Sequence, residues 1–139
     1  MLPEMKFQHI GMAVNSIDAT APHYVDAGYK KSESIVDPIQ NIRICWLTKP
    51  GEPTVELLEP VDDKSPVVKT LEKNGVTPYH ICYTVDDIDD ACKKLRKMKY
   101  MIVSRPTEAV AFCGSKVCFL YHKDMGLIEL VESPAKIID

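Results

Sequence analysis

The sequence predicts an α+β fold: two βαβββ modules whose strands form a curved eight-stranded sheet. The first sign is a repeat. Pro78-Tyr79-His80-Ile81-Cys82-Tyr83-Thr84-Val85 reads as a strand and leads into the acidic helix start Asp86-Asp87-Ile88-Asp89. A near copy stands earlier, as His9-Ile10-Gly11-Met12-Ala13-Val14-Asn15-Ser16-Ile17-Asp18. The second sign is that the ends of the copies also match. Glu56-Leu57-Leu58-Glu59-Pro60 recurs as Glu129-Leu130-Val131-Glu132-Ser133-Pro134. Each half thus opens on a strand histidine and closes on a strand glutamate, 47 and 49 residues apart. So long a unit, present only twice, is a duplicated supersecondary module and not a solenoid.

The elements follow in order. Residues 6–15 alternate as a strand with His9, Gly11 and Ala13 on one face, which leaves space beside the imidazole for a ligand. Pro22 removes a backbone donor and argues against a regular helix starting at Ile17. The expected start is instead Thr20 as N-cap, with the end near Gly28. Strands at 29–36, 41–49 and 54–59 complete module one, which spans about 6–60, and Pro50-Gly51-Glu52-Pro53 is a turn. Ser65-Pro66 opens a linking helix over about 65–75 that Gly75 ends. Module two, about 78–132, repeats the plan: strand 79–85, helix Asp87 to Met98, then strands 100–104, 116–122 and 127–132. Its aspartates crowd the helix start and its lysines and Arg96 the helix end, as the helix dipole favours. A solvated helix face accounts for these charges.

At 139 residues and 45% hydrophobic, the chain suits one domain over 1–139 with a substantial core. A net charge of −3 gives no overall field that would gather nucleic acid or an anionic membrane. No apolar run approaches the ~20 residues that span a bilayer, and no signal peptide precedes Phe7. The expectation is a soluble cytoplasmic protein. Cys45, Cys82, Cys92, Cys113 and Cys118 lack Cys-x-x-Cys spacing and read as small buried hydrophobes in a reducing compartment.

A lone strand histidine or glutamate would carry no chemistry by itself. The duplication changes this, because twofold-related modules bring His9, Glu56, His80 and Glu129 toward one axis. Two buried carboxylates without partners would cost several kcal/mol each, so a shared cation is the economical explanation. Two imidazoles and two carboxylates leave two positions free on an octahedral Ni²⁺, Co²⁺, Mn²⁺ or Fe²⁺, or on an expanded Zn²⁺. Open positions accept carbonyl or enolate oxygens, and a neighbouring carboxylate moves a proton at the adjacent carbon. Glu129 is the favoured base, since the Ala109–Gly114 loop of its half has small residues that could admit a substrate. Glu56 serves the opposite face. His23 reads as helix surface, His122 as part of a turn, Lys116 as solvated, and Trp46 and Phe112 as core.

The duplicated histidine and glutamate resemble the vicinal-oxygen-chelate superfamily of glyoxalases, epimerases, extradiol dioxygenases and resistance proteins, over about residues 6–132. The stretch Glu56 to Pro60, then Ser65-Pro66, Lys69, Leu71-Glu72-Lys73, Gly75 and Tyr79-His80-Ile81, is similar to methylmalonyl-CoA epimerases and to small bacterial glyoxalase I-like proteins. The resemblance implies that His9, Glu56, His80 and Glu129 are the four metal positions, and that the protein is a homodimer. It also implies a thioester or thiohemiacetal substrate. Some epimerases carry a second base in the third strand of module one, where this chain has Ile44. Their second ligand is often glutamine, whereas glyoxalase I carries glutamate, as here at position 56. On those two residues the expected activity is a glyoxalase I-type isomerase (lactoylglutathione lyase-like). Methylmalonyl-CoA epimerase is the alternative, and a non-catalytic small-molecule binding protein of the same fold is a second. A ring-cleaving dioxygenase would have no need of Glu56.

Overall fold

The structure, a computed structural model, describes residues 1–139. The elements of the first half are β1 (Lys6–Ala13), α1 (Ile17–Asp26), β2 (Lys30–Lys31), β3 (Ile35–Asp37), β4 (Ile42–Thr48) and β5 (Thr54–Pro60). Helix α2 (Val68–Asn74) follows. The second half has β6 (Thr77–Val85), α3 (Ile88–Lys97), β7 (Met101–Ile102), β8 (Thr107–Glu108), β9 (Lys116–His122) and β10 (Gly126–Glu132). The class is the expected mixed α+β, with each half running strand, helix, then strands. Each half has five strands where four were expected: the strand expected at 29–36 is split into β2 and β3, and the short β8 lies beyond the strand expected at 100–104. At Ser32 the break has a cause: its N–H bonds to the Trp46 carbonyl while its hydroxyl accepts from Trp46 N–H at 2.8 Å.

Backbone contacts divide the chain into two units, His9–Tyr79 with Ile137–Asp139, and Met1–Gln8 with His80–Lys136. In the first, the strand order is β2-β4-β5-β1, with β3 also on β4. Strands β1 and β5 run parallel, Gly11 opposite Glu56, and β4 runs antiparallel to β5 with Trp46 opposite Glu56. Alternation then sorts the side chains. Cys45, Leu47, Val55 and Leu57 pack with Ile17 and Ala21 of α1, while Ile44, Trp46, Glu56 and Leu58 take the other side.

In the second unit the order is β6-β10-β9-β7, with β8 on β9. Strand β10 runs parallel to β6, Glu129 opposite Cys82, and antiparallel to β9, Glu129 opposite Phe119. Ile88, Cys92 and Leu95 of α3 pack on Cys118, Leu120, Ile128 and Leu130, leaving Phe119 and Glu129 on the opposite side. Within each unit, the strand face away from the helix carries the glutamate.

Two helix starts differ from expectation. Helix α1 begins at Ile17 and contains Pro22. Ser16, not Thr20, is its N-cap and accepts from Ala19 N–H at 3.1 Å. Buried Ile17 and Ala21 anchor the helix, and Pro22 lies on its exposed side, where the carbonyl that loses its partner is open to water. Helix α2 begins at Val68 without a side-chain cap. Ser65 is instead buried as a loop tether: it donates to the Asn41 carbonyl at 2.6 Å and accepts from Val61 N–H at 2.8 Å. Gly75 ends α2 as expected, at a φ of 70° that favours glycine.

Candidate functional site

Each unit holds one buried histidine–glutamate pair, built by the same means. In the first, the periodicity of β1 buries His9, and its parallel register with β5 sets it close to Glu56. His9 Nε2 lies 3.1 Å from Glu56 Oε2, with His9 fully buried and Glu56 3% exposed. The indole of Trp46, opposite Glu56 on β4, meets the imidazole edge to face at 4.9 Å and 81°. In the second unit His80 Nε2 lies 3.0 Å from Glu129 Oε2, both residues 3% exposed. Phe119, opposite Glu129 on β9, meets that imidazole at 5.3 Å and 80°. Perpendicular aromatic contacts of this kind hold a ring in one plane and leave its nitrogens in-plane for bonding.

Two further glutamates, Glu59 and Glu132, tie the strands of these pairs to the helices. Three positions past each site glutamate, a second carboxylate caps the helix of the same unit. Glu59 Oε2 accepts the Ile17 N–H at 2.6 Å, and Glu132 Oε2 accepts the Ile88 N–H at 2.9 Å. An acidic group at a helix N-terminus satisfies an orphan donor and suits the dipole. The signal was present, since Glu-Leu-Leu-Glu and Glu-Leu-Val-Glu both repeat two acids. Trp46 and Phe119 were legible only through register, as they share no residue type.

The other singled-out residues fall elsewhere. His23 is exposed, and His122 accepts from Asp124 N–H in the turn before β10 and lies against the Tyr100 ring. Of the Ala109–Gly114 loop, Ala109, Ala111 and Phe112 are buried around a short 3-10 turn, so its small residues face inward. Ile44 is buried on the side of β4 that carries Trp46, with Leu58 opposite. Four cysteines are buried and Cys113 is exposed. Burial pushes the Cys45 thiol up to about 11.

The donor set fits a divalent transition ion. In each unit a buried imidazole nitrogen and a buried carboxylate oxygen already face one another at contact distance. The four side chains His9, Glu56, His80 and Glu129 are a group that could hold a metal ion.

A family model described as the Glyoxalase/Bleomycin resistance protein/Dioxygenase superfamily matches residues 8–119. An ethylmalonyl-CoA/methylmalonyl-CoA epimerase of Cereibacter sphaeroides is 30% identical over 131 residues, 90% of this chain and 96% of that protein. The mitochondrial methylmalonyl-CoA epimerase of Homo sapiens is 31% identical over 132 residues, 92% of this chain and 74% of that protein. Among solved structures, a variant of Streptomyces coelicolor methylmalonyl-CoA epimerase in complex with 2-nitronate-propionyl-CoA has a TM-score of 0.80 and 31% identity. The match covers 94% of this chain and 98% of that one. No helix is long and apolar enough to cross a membrane.

These relatives overturn the expectation of a glyoxalase I-type isomerase, which rested on Glu56 and Ile44. The physical reason is that one ligand's charge tunes a centre without choosing its substrate. Recognition of a thiol carrier and acyl group is spread over the many residues that line a pocket, and across most of its length this chain is similar to epimerases. By sequence and by fold, the chain belongs to the glyoxalase/bleomycin resistance protein/dioxygenase superfamily.

Proposed function

We propose that the protein is a metal-dependent epimerase of a 2-substituted malonyl-type CoA thioester, with methylmalonyl-CoA as the first candidate. The observation that carries this reading is the pair of buried histidine–glutamate contacts, His9 with Glu56 and His80 with Glu129. The names of the relatives supply the substrate class. On this reading His9, Glu56, His80 and Glu129 together hold one divalent ion, as their donor types and burial favour. When bound, such an ion supplies Lewis acidity toward the substrate's carbonyl oxygens.

The residues of the chain perform the proton chemistry. The hydrogen at C2 of such a thioester lies between two carbonyl carbons and is therefore acidic. Glu129, ionised, takes that proton onto a carboxylate oxygen, and the C–H electron pair passes into the thioester carbonyl as an enolate. Glu56, a dissociable ligand that takes up a proton only when it is released, returns that proton to C2 from the opposite face, which inverts the centre. Exchange with water then resets both carboxyl groups. Trp46 and Phe119 fix the planes of the His9 and His80 rings and so the direction in which their nitrogens point. Low-dielectric surroundings make each of these charge contacts worth more than it would be in water.

The test uses protein loaded in turn with Co²⁺, Ni²⁺, Mn²⁺ and Zn²⁺, given (2S)-methylmalonyl-CoA in deuterated water. The expected result is inversion at C2 with incorporation of solvent deuterium, in at least one metal form and not after chelation. Metal-loaded protein that leaves both the configuration and the C2 hydrogen untouched would overturn the reading.

A further inference from the structure

The geometry points to a second binding site, in the unit that contains α3, for an organic phosphate of the nucleotide class held by Arg96 and Arg105. A hollow of about 460 Å³ is lined by Arg96, Tyr100, Met101, Ile102, Val103 and Arg105. A second hollow of about 430 Å³, lined by Lys93, Arg96 and Lys97, shares Arg96 with it. Volumes of this size suit a small ligand.

Charge gives the sign of that ligand. The chain carries a net charge of −3, yet Lys93, Lys94, Arg96, Lys97, Lys99 and Arg105 put six of its 17 lysines and arginines within residues 93–105. No aspartate or glutamate lies between Ala91 and Thr107. Lys94 is committed to Asp90 and Glu4, and Lys116 to Asp89. No carboxylate pairs with Lys93, Arg96, Lys97 or Arg105. The helix dipole explains only part of this, because the C-terminus of α3 amounts to about half a negative charge. Lys94, Arg96 and Lys97 in its last turn already exceed that, and Arg105 lies beyond β7, outside the helix altogether. A local excess of positive charge on an acidic protein draws in an anion. Two guanidinium groups on one hollow are the side chains that grip phosphate oxygens by paired hydrogen bonds.

The wall gives the rest of the ligand. Met101 is 62% exposed and Val103 59% exposed, beside those cations. Inorganic phosphate would leave them bare, whereas a nucleotide covers them with its base. The site is distinct from the histidine–glutamate pair of the same unit. Ile102 faces Leu120 in the core beneath α3, on the side of β9 and β10 opposite Phe119 and Glu129. The inference therefore does not depend on the epimerase reading.

The experiment is calorimetric titration of the full chain with ADP, adenosine and inorganic phosphate, at low ionic strength and in excess EDTA so that no metal bridges the ligand. ADP should bind saturably at one per chain, at least tenfold more tightly than phosphate, and adenosine should not saturate. Arg96→Gln and Arg105→Gln should each weaken ADP about tenfold or more, while Lys73→Gln on α2 leaves it unchanged. Circular dichroism verifies that each variant is folded. Three results would each overturn the proposal: no ADP binding at millimolar concentration, ADP binding indifferent to both arginine substitutions, or binding to phosphatidylserine vesicles without binding to ADP.

Discussion

The two halves of this molecule agree where chemistry is at stake and diverge where only packing is. His9 with Glu56 and His80 with Glu129 differ by 0.1 Å in contact distance, 3.1 against 3.0 Å. Each imidazole has an aromatic edge contact within a degree of the same angle, 81° and 80°. The helices behind them have drifted far apart. Helix α1 carries a proline and buries Ile17 and Ala21 alone, whereas α3 buries Ile88, Ala91, Cys92 and Leu95 and loads its exposed face with cations. A helix can be rebuilt with almost any amphipathic sequence, because apolar burial is non-directional. A histidine–glutamate pair cannot, because its nitrogen and oxygen must meet at hydrogen-bonding distance. The duplication has therefore kept the pairs and the carboxylate caps and has let the helix faces go.

The most severe break in this symmetry is expected in catalysis. Glu129→Gln should slow epimerisation about 10²–10⁴-fold while metal is retained. Glu56→Gln should fall less in deuterium exchange at C2 than in inversion, since removal of the proton survives and its return from the opposite face does not. Identical losses in both variants, in both assays, would mean that the halves are equivalent in chemistry as well as in geometry.

Metal binding should show the halves as equals. His9→Ala and His80→Ala should each cost more affinity than the ~10–100-fold that loss of a supporting partner costs. Elemental analysis after dialysis would show about one ion per chain in the parent and a small fraction of that in either variant. An ion retained at parent stoichiometry by one variant would restrict the centre to the other half.

The helices should show them as unequal. Leu95→Ala removes a fully buried side chain from the α3 core and should cost about 2–5 kcal/mol in denaturant unfolding. Ala21→Gly in α1 should cost only about 1 kcal/mol, mostly as helix propensity. Similar values for the two would refute the claim that the second half depends more heavily on its helix.

The smallest effects belong to the caps. Glu59→Ala and Glu132→Ala should each cost about 0.5–2 kcal/mol, the range for losing a helix cap. Glu59 should be at the upper end, since its bond to Ile17 is 2.6 Å and it also takes Arg43 at 3.3 Å. Thermal unfolding of both variants against the parent would rank them, and a cheaper Glu59 would remove any role for Arg43.

Much of this was legible from residues alone. The module plan and the boundaries of β9 follow from repetition and alternation, and the glycine stop of α2 follows from the positive φ that a helix end favours. Repetition and alternation are local patterns that a chain displays in its sequence. The helix starts were not legible. Pro22 argues against a regular helix from Ile17 and so for Thr20 as the cap, yet a bond to Ile17 N–H comes from Glu59, 42 residues away. Ser65 looked like a cap in the favoured order with Pro66, yet its hydroxyl is held by Asn41 across the loop.

The sequence by itself determined the residue types of the candidate centre and the strands that carry them, because a repeated His and Glu at period-two positions states both identity and face. Only the tertiary structure decided what surrounds those residues. It brought Trp46 and Phe119 to the two imidazoles and turned the Ala109–Gly114 loop inward. Each of these depends on cross-strand register or packing between residues distant in sequence, and contacts at that range leave no periodic trace in the chain.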